Sequence, residues 1–590
     1  MLDVTDDTLT ASVNHWLAQF GSALAAGDPA AVAALFRPDS HWRDLVAFSW
    51  GISTTSGMEK IAAALVRHNA RAKAGSFALD PARSAPRMVM RGGSAAIEAF
   101  FRFETAHARG QGVLRLDPTA RKGDLHQAWT LFTATDEIKG HEEQVGSRRP
   151  RGQAWSRDFA GPNWQDRRHA EAAYSDRDPD VLVVGGGQAG MSIAARLNQL
   201  GIDTLVVDRE KRIGDNWRLR YHALTLHNQV QVNHFPYMPF PPNFPTYIPK
   251  DKLANWFESY AEAMEINFWT ETEFVGAVRV EKTGRWEAQL RRADGSTRTL
   301  RPKHVVMANS ASGTPNLPEI AGLANFKGAV IHASGYRNAD LWVGRPVLVI
   351  GTGTSGHDIA QDLVSKGSLP TLVQRNPTLI LDVEPTAQLP YTIYNEGRAL
   401  EECDLIAASM PLALFEEAHR LMAQKAREMD SELHAQLRRA GFRINETDKT
   451  GWQFMFLNRG GGYYFNVGAS NLIAEGKLPV AQFADIEAFV ANGARMKSGA
   501  TLRADLIVLA TGYKNQGHLV QKFFGDEVAG RVGRVWGINA ETQELNSMFT
   551  HTGQPGLWFI AGSFAQCRIN SKYLALQMKA VEEGLAEPRL

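Results

Sequence analysis

"VLVVGGGQAG" (residues 181–190) and "VLVIGTGTSG" (347–356) set out one arrangement twice: a short apolar strand that runs into a glycine turn. "DVLVV" (180–184) is short, Val-rich and apolar throughout, the composition of a strand buried on both faces of a parallel sheet. Gly185, Gly187 and Gly190 follow with G-x-G-x-x-G spacing. The first glycine permits a tight turn, the second lets the backbone approach a pyrophosphate, and the third lets the next helix pack on the strand. "MSIAARLNQLG" continues as that helix, whose free N–H groups and partial positive charge favour phosphate. A second strand, "DTLVVD", ends in Asp208, about 20 residues on, where a carboxylate accepts hydrogen bonds from an adenosine ribose.

The other turn carries Gly351, Gly353 and Gly356 after "PVLVI" (346–350), then the helix "SGHDIAQDLVSKG" and the strand "PTLVQR". This strand ends in Gln374 and Arg375 instead of an acid. An acid repels a 2′-phosphate and an arginine pairs with it, so the turn reads as an NADPH site, with Thr354 and Ser355 as further phosphate contacts. Arg375 does not forbid NADH. Two different dinucleotides therefore meet on one chain. FAD is the economical occupant of the first turn, because a bound flavin can receive a hydride and pass electrons on.

The chain has 590 residues, 44% hydrophobic and 22% charged, which suits a globular protein of several domains. A net charge of +1 gives no reason to expect a nucleic-acid partner. The two cysteines, Cys403 and Cys567, lie far apart, which excludes a disulfide framework or a Cys-x-x-Cys redox pair and fits a reducing, cytoplasmic setting. "MLDVTDDTLT" lacks the basic start and apolar run of a signal peptide, and no apolar stretch reaches about 18 residues, so no membrane span is expected. No metal is expected.

Alternating strands and helices from Pro179 onward predict layered α/β architecture: two Rossmann-like dinucleotide-binding domains. The expected partition is 179–340 for the first part of the FAD domain, 341–503 for the NADPH domain and 504–590 for the C-terminal part of the FAD domain. A long amphipathic stretch at 399–441 is read as a helical insertion that covers a domain face, with a wall of the substrate chamber as the alternative. Residues 146–178, rich in Arg, Gly, Pro and Asp, read as a linker, with Trp155 and Trp164 arguing that part of it is docked. Before it, residues 1–145 place helical patterns such as "SVNHWLAQFGSALAAGDPAAVAALF" ahead of strand-like runs such as "AAIEAFFRFETA", an α+β order. The pattern resembles the NTF2-like (SnoaL-like) cone, in which a curved sheet wraps a long helix.

Between the turns, "FKGAVIHASGY" fits F-x-G-x-x-x-H-x-x-x-Y through Phe326, Gly328, His332 and Tyr336. With "IGDNWRLRYHALTLHN" (213–228), "FPYMPFPPNFPTYIPKDKL" (235–253), "ADLIVLATGYKN" (504–515) and "WFIAGSFAQCRINSKYLALQMKA" (558–580), residues 179–590 resemble the flavin-containing monooxygenases. The middle stretch is also similar to the plant YUCCA enzymes. The N-terminal unit resembles the extension of the bacterial type II group. That resemblance implies FAD, NADPH and often NADH, a C4a-peroxyflavin, and oxygen insertion from O₂ into a small organic substrate. The reactions it implies are Baeyer–Villiger oxidation of ketones and S- or N-oxygenation. One departure stands out: Ala308-Asn309-Ser310 replaces the usual Ala-Thr-Gly at the first crossover, whereas Ala510-Thr511-Gly512-Tyr513 keeps the pattern.

The same resemblance places Asn228 beside the flavin, where its amide would bond the flavin–oxygen adduct or NADP⁺; a plain turn asparagine is the alternative. His332 is either a proton carrier or a residue that orients the domains. Trp217 and Arg218 lie in the Asp-Asn-Trp-Arg turn, and Arg218 either holds FAD phosphate or ribose or stabilises that turn. Gln566 is the flavin contact of the C-terminal segment, ahead of a helix that starts near Ser571 and aims its dipole at the flavin pyrimidine. His41, Trp42 and Asp44 either line a cone pocket fit for acid–base work or form a satisfied polar edge. The N-terminal unit would pack on the flavin domain or on a second subunit, which leaves a homodimer open. Two rival functions are carried: YUCCA-like oxidative decarboxylation of an arylpyruvate, and a non-catalytic NAD(P)H/flavin sensor.

Overall fold

The structure is a computed structural model that describes residues 6–150, 159–310 and 313–587, so Trp155 lies outside the described residues. Two five-stranded parallel sheets carry the two turns. The first runs Asn267–Trp269, Thr204–Val207, Val181–Val184, His304–Met307 and Leu557–Phe559. Its inner strands are buried along their whole length, which is why they read as unbroken apolar runs. The second runs Ala329–His332, Leu506–Leu509, Pro346–Ile350, Leu369–Gln374 and Val480–Gln482.

This membership moves the expected boundaries. Ala329–His332, assigned to the first domain, pairs with Leu506–Leu509, assigned to the returning part of that domain, and both lie in the second sheet. The chain crosses between layers through a short antiparallel ribbon, Thr314–Pro315 against Tyr513–Lys514. The divisions expected at 340 and 503 therefore fall near this ribbon. Strand pairing decided the point, and the composition on either side of residue 340 carries no trace of it.

The N-terminal unit is α+β, as expected. Helix Asp6–Ala26 lies against a seven-stranded sheet in the order Ile52–Ser56, Phe36–Leu45, Leu125–Ile138, Ala108–Lys122, Ser94–Glu104, Gly75–Leu79, with Arg87–Arg91 also paired to Ser94–Glu104. Alternation along Ser94–Glu104 explains how the unit is built in. Ile97, Ala99, Phe101 and Phe103 point to the helix side, where Trp16, Phe20 and Phe36 fill the interior. Phe100 points the other way and, with Val113, Phe132 and Ile138, joins the apolar core of the first nucleotide layer. Of the two packings left open, the unit thus has one within its own chain. Lys572 seals that seam with an ion pair to Asp136 at 2.5 Å.

The linker ends in structure. Trp164–Ala173 is a helix with a capping box from Asn163 and Asp166. Trp164 donates to Glu265 Oε1 at 2.6 Å, and Arg168 donates to the Glu265 carbonyl and Asn267 Oδ1. The 399–441 stretch is helical as read, in three pieces: Leu400–Ala408, Leu412–Met429 and Ser431–Arg439. No helix among the described residues is long and apolar enough to cross a membrane.

Candidate active site

At the first turn, Gly185 has φ +107° and lies against the carbonyl of Ala308, so only glycine is free of strain there. A Cβ on Gly190 would stand 2.0 Å from the Gly185 carbonyl oxygen, the close helix–strand approach expected of the third glycine. A Cβ on Gly187 would meet nothing closer than Asn216 Nδ2 at 3.3 Å. The backbone at Gly187 thus faces open space at the N-terminus of helix Gln188–Gln199, as a pyrophosphate requires. Asp208 reaches back to this turn, accepting from Gly186 N at 2.7 Å and Glu210 N at 2.9 Å. A carboxylate has about four lone-pair positions, so capacity remains for ribose hydroxyls.

Trp217 lines the same cavity, stacks on Phe564 at 6.3 Å, and keeps a buried Nε1–H with no acceptor among the described residues. A buried donor without a partner is costly, and an incoming acceptor would relieve it. Arg218 is a correction. Its guanidinium bonds Asp215 within the turn and reaches the Ile213 carbonyl and Asn255 Oδ1 at 3.3 Å. It stabilises the turn, and the arginine that lines the cavity here is Arg220. The C-terminal helix is also corrected: it begins at Phe564, capped by Ser563, and not near Ser571. Gln566 lines the cavity, and its Oε1 accepts from Ser563 N at 3.0 Å as half of a capping box.

The second turn repeats the first. Gly351 has φ +117°, a Cβ on Gly356 would stand 2.0 Å from the Gly351 carbonyl, and a Cβ on Gly353 would find its nearest atom 4.0 Å away. Helix Thr354–Ser365 starts there, with Thr354 and Ser355 facing the cavity. Arg375 is exposed at the cavity edge and makes no ion pair among the described residues.

For His332, the contacts favour the orienting role over the proton carrier. Its Nε2 donates to the Gly512 carbonyl at 3.0 Å, which assigns Nδ1 as the acceptor for Ser334 N at 3.1 Å and Ser334 Oγ at 2.9 Å. Burial lowers its pKa. With both nitrogens engaged, the ring clamps the returning Ala510–Tyr513 crossover to the second sheet. The unusual Ala308-Asn309-Ser310 crossover is held by Gln516, whose Nε2 donates to Asn309 Oδ1 at 3.1 Å.

Asn228 faces the cavity and donates to the Tyr391 hydroxyl at 3.3 Å. Tyr391 was not singled out in the sequence; "QLPYTIYN" (388–395) carries no motif. The 399–441 insertion takes the second of its two readings, a chamber wall, because Ile406, Met410, Phe415 and Met422 line the cavity. The N-terminal unit reaches the cavity as well. Arg43 forks onto Glu544 at 2.7–2.8 Å and bonds the Ala408 carbonyl, tying the first unit, the insertion and the 537–549 loop together. No sequence signal could pair residues 501 apart. His41, Trp42 and Asp44 form the satisfied polar edge. Asp44 is buried and accepts from Phe48 N, Ser49 Oγ and Thr133 Oγ1, and burial pushes its carboxyl up to about 6. Trp42 donates to Thr133, and His41 bonds Ser56.

Both glycine turns, the crossover ribbon and the apolar wall thus open onto one continuous cavity of about 2450 Å³. A fold with two such cradles on one cavity defines a two-dinucleotide oxidoreductase framework. Residues 178–521 match the flavin-binding monooxygenase-like family, and the chain belongs to that family. A probable indole-3-pyruvate monooxygenase, YUCCA4 of Arabidopsis thaliana, is 30% identical over 338 residues, 57% of this chain and 76% of the relative. The indole-3-pyruvate monooxygenase YUCCA1 of Oryza sativa subsp. japonica is 28% identical over 338 residues, 57% of this chain and 77% of its own. Among solved structures, an open form of cyclohexanone monooxygenase matches 69% of this chain and 88% of its own with TM-score 0.51 at 17% identity. The cyclohexanone monooxygenase from Rhodococcus sp. Phi1 bound to NADP⁺ gives TM-score 0.50 at 16% identity, over 69% of this chain and 85% of its own. Those structural likenesses describe the fold.

Proposed function

We propose that the chain is an FAD-dependent, NADPH-using monooxygenase that places one oxygen atom of O₂ into a small, largely apolar organic compound, by Baeyer–Villiger oxidation of a ketone or by S- or N-oxygenation. The observation that carries this reading is the single cavity shared by two glycine cradles and an apolar chamber. Gly185, Gly187 and Gly190 would hold the FAD pyrophosphate, Asp208 its ribose, and Trp217 and Gln566 the side nearer the ring. Gly351, Gly353, Thr354, Ser355 and Gly356 would hold NADPH. When bound, the flavin supplies hydride acceptance and oxygen activation. The protein's part is to position and to exclude water. Asn228, oriented by Tyr391, presents an amide to the reacting region, and Ile406, Met410 and Phe415 keep it dry. Tyr391 stays protonated, since burial pushes its hydroxyl up to about 12.

The N-terminal unit, a sheet around a long helix, supports an NTF2-like assignment and, ahead of an FAD domain, the type II group. Its role in this reading is to complete the chamber wall through Arg43. The relatives named for indole-3-pyruvate favour a second reading, oxidative decarboxylation of an arylpyruvate. Such a substrate brings a carboxylate that needs a cation; Arg43 is already forked onto Glu544, which leaves Arg220 at the cavity wall as a group that could hold it.

The deciding experiment starts from purified protein. It should be yellow, bleach with NADPH without air, and transfer one atom of ¹⁸O₂ to acetophenone or methyl phenyl sulfide. A colourless protein that cannot be reconstituted with FAD sinks the reading, and release of CO₂ from indole-3-pyruvate with neither probe oxygenated favours the second.

Arg375 gives a further expectation. Arg375→Ala removes the one strand-end cation beside the second turn. It should raise the KM for NADPH about tenfold or more, equal to roughly 1.4 kcal/mol, while the KM for NADH moves less than about twofold. Equal shifts for both nucleotides would show that Arg375 does not read the 2′-phosphate.

A further inference from the structure

His419 lies on helix Leu412–Met429, in the insertion that forms the chamber wall, and it lines the cavity. It is 5% exposed. Its neighbours are aromatic: Phe415 at 4.1 Å and Phe454 at 5.9 Å between ring centroids. Among the described residues neither ring nitrogen has a hydrogen-bond partner or a nearby charge, and burial alone lowers its pKa, to about 3. His357 is also buried with an unpartnered Nε2, but its Nδ1 bonds the Gly353 carbonyl at 3.3 Å, and other buried histidines are engaged further. His332 bonds Gly512 and Ser334, His434 bonds the Ile380 carbonyl, and His304 bonds Glu582. A buried polar ring without a protein partner calls for an explanation.

The wall around it runs toward the reacting region. Phe454 belongs to helix Trp452–Arg459, and Trp452 at the head of that helix packs on Tyr391 at 5.8 Å, the residue that holds Asn228. His419 is thus a neutral imidazole, with one N–H donor and one acceptor nitrogen, set in an apolar chamber.

We propose that His419 is the polar anchor of the substrate: its N–H donates to the carbonyl oxygen of a ketone whose remaining surface is apolar or aromatic. This rests on the monooxygenase reading and narrows it to carbonyl compounds. A site built to hydrogen-bond one substrate atom discriminates against an analogue that lacks it, because the buried donor is then left unpaired. A thioether sulfur is only a weak acceptor and gains little from the anchor.

The test uses two probes of like shape, acetophenone and methyl phenyl sulfide, and the flavin-loaded full-length protein. Binding is read without turnover, by titrating each probe into the oxidised holoenzyme and following the flavin absorption, and kcat/KM is measured alongside. His419→Leu should weaken acetophenone binding at least tenfold and leave methyl phenyl sulfide within twofold. His419→Gln, which keeps a donor of similar reach, should restore most of the loss. Equal changes for both probes, or none, in His419→Leu overturn the anchor, and so does failure of His419→Gln to separate from His419→Leu. Should His419→Leu fail to fold, His419→Gln decides: acetophenone binding within threefold of the wild type upholds the anchor, and a tenfold loss shared by both probes overturns it. Wild-type protein that holds no flavin, or oxygenates neither probe, instead overturns the reading beneath it.

Discussion

Gly187→Ala is expected to fold normally and to purify without colour. Gly187 has φ −76° and ψ −172°, extended backbone open to any residue, so alanine adds no strain. The added methyl meets only the end of a side chain, Asn216 Nδ2 at 3.3 Å, and it projects into the space where the backbone must approach a pyrophosphate. Gly187 is also the N-cap of helix Gln188–Gln199, a position where alanine is less favoured than glycine, so the apoprotein loses up to about 1 kcal/mol. FAD affinity should fall at least about 100-fold, roughly 3 kcal/mol, while the melting temperature of the apoprotein falls by no more than a few degrees. Gly190→Ala would be a poorer test, because its methyl would collide with the Gly185 carbonyl and disturb the fold itself. Gly353→Ala is the matching control at the second turn: the protein stays yellow and bleaches only at much higher NADPH. Full flavin content in Gly187→Ala, measured by absorbance against protein, would remove the first cradle from the account.

Glu98→Gln should give the largest loss of stability. Glu98 and Arg115 have fully buried side chains, 2.9 Å apart, and Arg91 and Arg87 add to the same carboxylate at 2.8 and 3.1 Å. Arg115 also reaches Ser409 at 2.8 Å, so the network joins the sheet of the N-terminal unit to the insertion. Removing the one negative charge leaves Arg115 buried without a counter-ion, a change that costs about 3–5 kcal/mol. The unfolding midpoint of the transition that contains the N-terminal unit should drop accordingly; a multidomain chain will not unfold in one step, so calorimetry should resolve it. The pH dependence follows from the same site. Burial alone pushes the Glu98 carboxyl up, but Arg115, Arg91 and Arg87 outweigh it and hold it at about 2, against an ordinary 4.5. A folded value below the unfolded one means that the contribution is complete above about pH 4.5 and is withdrawn as the pH falls toward 2. Glu98→Gln should flatten that part of the stability–pH curve. A wild-type midpoint insensitive to pH in this window, or a variant as stable as the wild type, would contradict the assignment.

Both cradles were legible in the chain because their physics is local. Strand, turn and helix lie within about 30 residues, and only glycine suits φ +107° at Gly185 or a neighbour 2.0 Å from the Cβ position of Gly190. Local contacts also account for the capping box of the linker helix and the α+β order of the first unit. Arg218 stayed open between a cradle and a turn role, and only the structure shows that Asp215, three residues away, claims its guanidinium. His332 was ambiguous until its partner Gly512, 180 residues on, fixed which nitrogen carries the proton.

The chain alone determined two dinucleotide cradles, their order and the acid–arginine contrast between Asp208 and Arg375, since each depends on residues that are neighbours in sequence. Only the tertiary structure decided which strands join which sheet, that the 399–441 insertion is a chamber wall, and that Arg43 meets Glu544 across 501 positions. Those outcomes depend on pairings and burial between distant segments, where the energy resides in the partner that arrives, and no single stretch of sequence records who that partner is.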